Sequence, residues 1–437
     1  MPNRNIAPQI KDFEEISLAK PEIKILQNGV EMQIINNGDE AVNRLDLIFK
    51  GGGYEQQKLL TGALMASMLK NGSADYSAKE IAEKLDYYGA WLQTQVFEHH
   101  SVITIYSINR CFEAVLDIVN SIVKAPTFPD SELSVLKYRL ISSLKNDNEK
   151  VRYLALIGFN KIYYGENHPL GKVVNENTVK FVLKKDLESF HKKFYNSNNL
   201  SIIISGKITS DITDKIEQYF GTEWGDNEKN SDLVSIPLSE TGNKLIITNK
   251  INAIQSGIVL GLTAIPRIHP DYIPLRILTT LFGGYFGSRL MASIREEKGY
   301  TYGISASLNG KSDSSYIQIS TECSVDYTWD LIAAVKEEMR RLRDELVPDE
   351  ELNVVKSYLK SSFAKILDSP FSIADFYLNQ IVIGFDASYF KSHINIIDEI
   401  TPEALQKIAQ KYYLEENLYI SIAGAENILK KKKSISC

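Results

Sequence analysis

The chain has 437 residues, 44% hydrophobic and 24% charged, a composition that builds a packed core and excludes intrinsic disorder. Forty-nine Lys and Arg against fifty-five Asp and Glu give a net charge of -6, which supplies no long-range attraction for nucleic acid or anionic lipid. Three cysteines, Cys111, Cys323 and Cys437, none in C-x-x-C spacing, exclude a disulfide framework and suit reducing surroundings.

The opening residues, MPNRNIAPQIKDFEEISL, hold no apolar stretch of signal-peptide length, and no later run approaches the roughly 18 apolar residues that span a bilayer. A cytoplasmic protein with no membrane or nucleic-acid partner is expected. Gly51-Gly52-Gly53 lacks the downstream Gly-Lys-Ser/Thr of a phosphate loop and suits a strand end or bulge. Ser77-Ala-Lys-Glu80 has the capping-box pattern, predicting a helix with Ile81, Ala82 and Leu85 on one face and Gly89 as its left-handed stop. Trp91 to Phe97 and Val102 to Tyr106 predict a hairpin whose polar end is Glu98, His99 and His100. Helical periodicity follows from Cys111 to Val123 and from Asp130 to Lys145, broken by a turn from Pro126 to Pro129.

The six histidines are His99, His100, His168, His191, His269 and His393, and no two have the i, i+4 spacing that places two imidazoles on one helix face. His99 and His100 are adjacent on a strand and point to opposite faces, which disfavours convergence on one ion. His168 lies in the turn-like YGENHPLG, and His191 lies on a helix with Phe190 and Phe194; both suit structural roles. Near the end, Lys430 to Lys433 suits a solvated tail, and the terminal Ser-Ile-Ser-Cys is not a prenylation box.

An internal repeat organises the whole chain. PDSELSVLKYRLISSLK, from Pro129, matches PDEELNVVKSYLKSSFA, from Pro348, at nine of seventeen positions and an offset of 219. KKFYNSNNLSIIISG, from Lys192, resembles QKYYLEENLYISIAG, from Gln410, at an offset of 218. Two matches at nearly one offset, about half the chain, predict two copies of one fold: residues 1–225, a linker at 226–244 with Gly, Asn, Ser, Asp and Glu in place of apolar periodicity, and residues 245–437. Within each copy, hairpins alternate with long helices, so the predicted class is α+β, a largely antiparallel sheet covered by helices.

The segment LFGGYFGSRLMASIREEKGYTYGISASL, Leu281 to Leu308, is the richest in chemistry. Gly283, Gly284 and Gly287 predict a flexible loop, Ser288 a cap for the next helix, and Gly299 its stop. Tyr300, Tyr302, Ile304, Ala306 and Leu308 then alternate as one strand face. Arg295 and Tyr302 are placed near enough to converge, and both are good donors to an oxygen gaining negative charge. A plainer reading pairs Arg295 with Glu296 or Glu297 and packs Tyr302 in the core beside Ile304.

These residues resemble the pitrilysin and insulinase family of zinc peptidases, in its two-chain bacterial and mitochondrial-processing branch. The resemblance runs over nearly the whole chain. It is carried by KGGGYEQQKLLTGALMASMLKNGSADYSAKEIAEKLDYYGA, YGENHPLG and FHKKFYNSNNLSIIISG in the first half, and by GGYFGSRL and REEKGYTY in the second. It implies a duplicated metallohydrolase fold forming half of a clam-shaped chamber. Active members carry H-x-x-E-H at the position of Gly62 to Leu69; here Ala63 and Ser67 stand at the histidines and Ala66 at the glutamate base. The third ligand, a glutamate, would fall near Leu140 to Leu144, which reads Leu-Ile-Ser-Ser-Leu.

The resemblance therefore implies no metal and no cofactor in this chain, with zinc expected in a homologous partner subunit. Arg295 and Tyr302 are the expected catalytic contribution, and the segment holding Gly283, Gly284, Gly287 and Ser288 the expected substrate contact. The implied function is the non-zinc subunit of a heterodimeric metalloendopeptidase acting on peptides, inactive alone; unpaired, it could homodimerise. The alternative is a pseudo-peptidase used for assembly or peptide binding, like the core proteins of respiratory complexes.

Overall fold

The computed structural model describes residues 18–226, 236, 238, 242–311, 314–385 and 388–426. Most of the linker, the Lys430 to Lys433 run, Cys437 and the opening residues lie outside them. No helix among the described residues is long and apolar enough to cross a membrane.

Two sheets form the frame. The first contains β1 (Glu22–Ile25), β2 (Glu31–Asn36), β3 (Val42–Lys50), β4 (Trp91–Val96), β5 (His100–Ile108) and β6 (Leu200–Gly206), in the order β1-β2-β6-β3-β5-β4. The second contains β7 (Leu245–Asn249), β8 (Gln255–Thr263), β9 (Thr301–Asn309), β10 (Tyr316–Ser324) and β11 (Tyr419–Gly424), in the order β7-β11-β8-β10-β9. Without β1 the two orders are the same, and each has one parallel pair, β2 with β6 and β7 with β11, the other pairs being antiparallel.

The helices of the first half are α1 (Thr61–Met68), α2 (Ala78–Tyr87), α3 (Phe112–Lys124), α4 (Asp130–Asp147), α5 (Val151–Tyr164), α6 (Glu176–Phe181), α7 (Lys184–Phe194) and α8 (Ser210–Phe220). Those of the second are α9 (Tyr272–Thr279), α10 (Thr328–Asp344), α11 (Asp349–Ala364), α12 (Pro370–Ile383), α13 (Ser388–Glu399) and α14 (Pro402–Tyr412). The repeated sequence segments fall on matching elements. α4 and α11 each follow an extended proline, Pro129 and Pro348, and the second pair forms the end of α7 with β6 and the end of α14 with β11.

The halves exchange a helix. On one face of the first sheet, Leu45, Leu47, Ile103, Ile202 and Ile204 pack with helices of their own half. Its reverse face, with Ile35, Ile48, Val102 and Ile203, shares a core with Ile373, Ala374 and Tyr377 of α12, from the second half. Reciprocally, α5 lies on the second sheet: Val151, Ala155, Phe159 and Tyr163 pack with Val259, Tyr316 and Ala423. Gly261 leaves room for the Phe159 ring, which would stand 2.3 Å from a Cβ there. Each fully buried Ile or Val is worth about 1.5–3 kcal/mol over its exposed state, so the exchange joins the halves strongly. Arg44 on β3 adds a polar latch, 2.9 Å from Asp46 and 2.7 Å from Asp375 of α12, and Lys311 pairs with Glu98 across the halves.

Candidate functional site

α1 forms where the sequence places the degenerate motif. Its Leu64, Met65 and Ala66 are buried, Ala63 is exposed and Ser67 is half-buried. Leu140 to Leu144 lie on α4. Alanine has no lone pair to offer, a single serine hydroxyl cannot make the three-ligand set that catalytic zinc requires, and no group of three or more His, Cys, Asp or Glu able to hold a metal occurs among the described residues. The donor set does not fit zinc.

The histidines have structural partners. His99 Nδ1 is 2.7 Å from Glu55 Oε1, and Glu55 also accepts the Gly52 N–H at 2.8 Å. Burial opposes ionisation of Glu55, but these bonds prevail and hold it below the usual range. The predicted hairpin forms, with Glu98 and His99 in its turn and His100 opening β5; both histidines are buried there, because the second half closes over them and Lys311 comes to meet Glu98. Burial, aided by neighbouring His99, pushes His100 down to about 4, so it is neutral near pH 7. His168 stacks on Tyr164 at 4.7 Å, and His191 Nε2 meets Val123 O at 2.7 Å.

In the second half the glycine-rich segment departs from the expected loop. Gly283 and Gly284 belong to a π-helical turn, Thr280–Gly284. Gly283 is buried against β9, where a Cβ would come 2.6 Å from Ala306 Cβ; the glycine is there for helix-to-strand approach, not flexibility. Gly284 and Gly287 are exposed. Ser288 precedes the helix, but its hydroxyl is buried without a hydrogen-bond partner and makes no cap. The helix is then π-wound over Met291–Glu297, and Gly299, at φ 65°, stops it.

The strand alternation also fails at one point. β10 pairs Thr321 with Ile304 but Cys323 with Thr301, so Tyr302 and Gly303 together oppose Glu322 in a β-bulge. The extra residue turns Thr301 and Ile304 both inward and Tyr302 outward, 95% exposed. Tyr302 is therefore not a core residue beside Ile304. Two threonines hold the bulge: Thr301 Oγ1 donates to Glu322 O at 2.7 Å and accepts the Gly303 N–H at 3.0 Å, and Thr321 Oγ1 donates to Gly303 O at 2.9 Å.

Tyr302 faces an open hollow of about 440 Å³ whose walls include Gln255, Met291, Ser305, Glu322 and Arg152. Arg152 comes from the exchanged helix α5, and no sequence signal pointed to it. Arg295 is not on this wall. Its guanidinium lies 4.9 Å over the exposed Phe286 ring and 3.5 Å from Glu296 Oε1. The hollow sits on β9, the outermost strand of its sheet, where unpaired backbone groups can receive another strand.

The fold and these positions can be set beside known proteins. Residues 182–359 match the family described as "Peptidase M16 inactive domain". A Bacillus subtilis protein named "Uncharacterized zinc protease YmxG" is 21% identical over 407 residues, covering 92% of this chain and 98% of its own. A Helicobacter pylori protein named "Non-peptidase homolog YmxG" is 20% identical over 377 residues, 82% of this chain and 83% of its own. The crystal structure of a peptidase M16 inactive domain from Pseudomonas fluorescens superposes with a TM-score of 0.80 at 20% identity, covering 93% of this chain and 98% of that one. The architecture is thus that of M16-like peptidases, two helix-covered sheets. Over residues 182–359 and across these relatives the chain is similar to M16 peptidases of the inactive-domain type, the same likeness that its sequence motifs carry.

Proposed function

We propose that this chain is the non-zinc subunit of a heterodimeric metallopeptidase, supplying Arg295 and Tyr302 to a site whose metal sits in a homologous H-x-x-E-H partner. The observation that carries the reading is the contrast within one chain: α1 offers no metal donors at Ala63, Ala66 and Ser67, while a bulge on an edge strand projects the Tyr302 hydroxyl into an open hollow. A peptide added along β9 would pass that hydroxyl. Tyr302 O–H and the Arg295 guanidinium both donate and carry no base function near neutrality, so their role is to bind the peptide carbonyl and steady its oxygen as charge develops. Arg295 would have to leave Glu296 to reach the substrate, a move that a loose surface pair permits.

The test is reconstitution. The purified chain should cleave no peptide and carry no stoichiometric zinc, and activity should appear on mixing with its partner. In the reconstituted enzyme, Tyr302→Phe or Arg295→Ala should lower kcat by about 10²-fold, as loss of an oxyanion donor does. Full turnover in both variants would remove the catalytic role.

A second reading, a pseudo-peptidase that binds peptides or assembles with other chains, is favoured by the engagement of Arg295 with Phe286 and Glu296 away from the hollow. The name of the Helicobacter pylori relative points the same way. Peptide binding without cleavage in the presence of every H-x-x-E-H homologue of the source organism would select it.

A further inference from the structure

Seven arginines lie in the described part of the second half, and five have carboxylate partners. Arg289 pairs with Glu351, Arg295 with Glu296, Arg340 with Glu337 and Asp344, Arg341 with Glu338, and Arg343 with Glu415. Arg267 and Arg276 have none among the described residues. Both line one cavity of about 260 Å³ between the end of α11, α12 and α13, which shares no lining residue with the Tyr302 hollow. Arg267 donates through Nε to Gly310 O at 3.4 Å and lies 5.9 Å over the Phe385 ring. Arg276 lies 5.3 Å over Phe363.

Two half-buried guanidiniums sharing a cavity repel each other and have lost part of their hydration, with no paired counter-charge among the described residues. The Tyr389 hydroxyl on the same wall is out of water and has no hydrogen-bond partner in good geometry. Among the described residues the one carboxylate on the wall is Asp375, which is engaged with Arg44 of the other half. Both positive charges reach deeper still. His393, fully buried behind Tyr389, donates through Nδ1 to Tyr389 O at 2.7 Å. Burial first, then the fields of Arg276 and Arg267, push it down to about 3 in spite of that bond, so it adds no charge. The rest of the wall mixes the polar side chains of Ser362, Ser372 and Asn379 with apolar Phe363, Ile366, Phe376 and Phe385. Two guanidiniums without a carboxylate partner among the described residues, next to a group of aromatic rings, define the occupant's chemistry.

We propose that this cavity binds a carboxylate borne on an apolar group of about amino-acid size, held by Arg267, Arg276 and the Tyr389 hydroxyl. Such a group is either a free organic acid or the C-terminal residue of a peptide. The inference rests on neither the partner subunit nor Tyr302, and the full chain alone tests it.

Calorimetric titration with N-acetylphenylalanine should give saturable binding, and its C-terminal amide should bind about tenfold or more weakly. Arg267→Gln and Arg276→Gln should each weaken the acid by about tenfold, with Arg276→Lys retaining part of the affinity. A peptide ending in free Phe that binds more tightly than N-acetylphenylalanine assigns the site to peptide C-termini; weaker binding assigns it to small acids. Equal affinity for acid and amide, no saturation by about 10 mM, or unchanged affinity in both glutamine variants would overturn the proposal. Melting curves of the variants separate lost binding from lost folding, and the acid-against-amide comparison on the unaltered chain stands whatever they show.

Discussion

The two halves share strand order, pairing sense and the Pro-led helix, yet they differ in the helix that precedes β4 in one and β9 in the other. In the first half, α2 opens with a complete capping box: Glu80 N–H donates to Ser77 Oγ at 3.3 Å and Ser77 N–H donates to Glu80 Oε2 at 2.9 Å. It is a regular α-helix that stops at Gly89, φ 62°. The matching helix of the second half also follows a serine, Ser288, and stops at Gly299, φ 65°, but Met291 stands where Glu80 does. No return bond forms, the serine hydroxyl is buried and orphaned, and the helix winds as π over Met291–Glu297. π-turns and bulges cost stability and persist where a site needs them. The frame is thus common to both halves, while the π-winding of Met291–Glu297 and the bulge at Tyr302 and Gly303 are found in the second.

Three measurements break or sharpen that contrast, beyond the reconstitution and titration above. The largest effect is acid lability shared by both halves. Burial pushes His191 of α7 down to about 4 and His393 of α13 down to about 3. Each is below the unfolded value near 6.5, so the unfolded chain takes up the proton first as pH falls. Stability is full above about pH 6.5 and should fall by about 1.4 kcal/mol per pH unit per group below it. His191→Leu and His393→Leu should each flatten the pH slope of a single urea transition. Two separate transitions would show that the exchanged helices do not couple the halves.

Next in size is a pair of glycine substitutions on corresponding helices. Gly283→Ala puts a Cβ 2.6 Å from Ala306 and should cost about 1–3 kcal/mol. Gly62→Ala on α1 meets the tip of the Phe190 ring at 3.3 Å, which can shift, and should stay within about 1 kcal/mol of neutral. Equal costs by urea unfolding would mean the two helices approach their sheets alike.

The smallest contrast is at the two serines. Ser77→Ala should destabilise by about 1 kcal/mol, whereas Ser288→Ala removes an orphaned hydroxyl and should be neutral or stabilising. A loss at Ser288 as large as that at Ser77 would restore it as a cap.

Much of the frame was legible in the chain. The 219-residue offset located α4 and α11, the Ser77 to Glu80 pattern located α2, and Trp91 to Tyr106 located the β4–β5 hairpin, because each signal is a local period or a capping residue. The absence of donors at Ala63, Ala66 and Ser67 was equally plain, since it is a matter of side-chain identity. The glycines at 283 and 284 misled, because close approach to a strand and a flexible loop leave the same mark in a sequence. Alternation places Tyr302 on a face with Ile304 because it cannot register one inserted residue; the pairing of β9 with β10 shows the bulge.

What the sequence alone determined is the duplication, the class of fold and the identity of the side chains at Ala63, Ala66 and Ser67, all properties of residues taken singly or at short spacing. The tertiary structure decided which half covers which sheet, that Tyr302 faces outward over a hollow shared with Arg152, and that Arg267 and Arg276 meet in one cavity. Those facts depend on packing between elements far apart along the chain, where side-chain volume and strand register set the outcome and no local pattern records it.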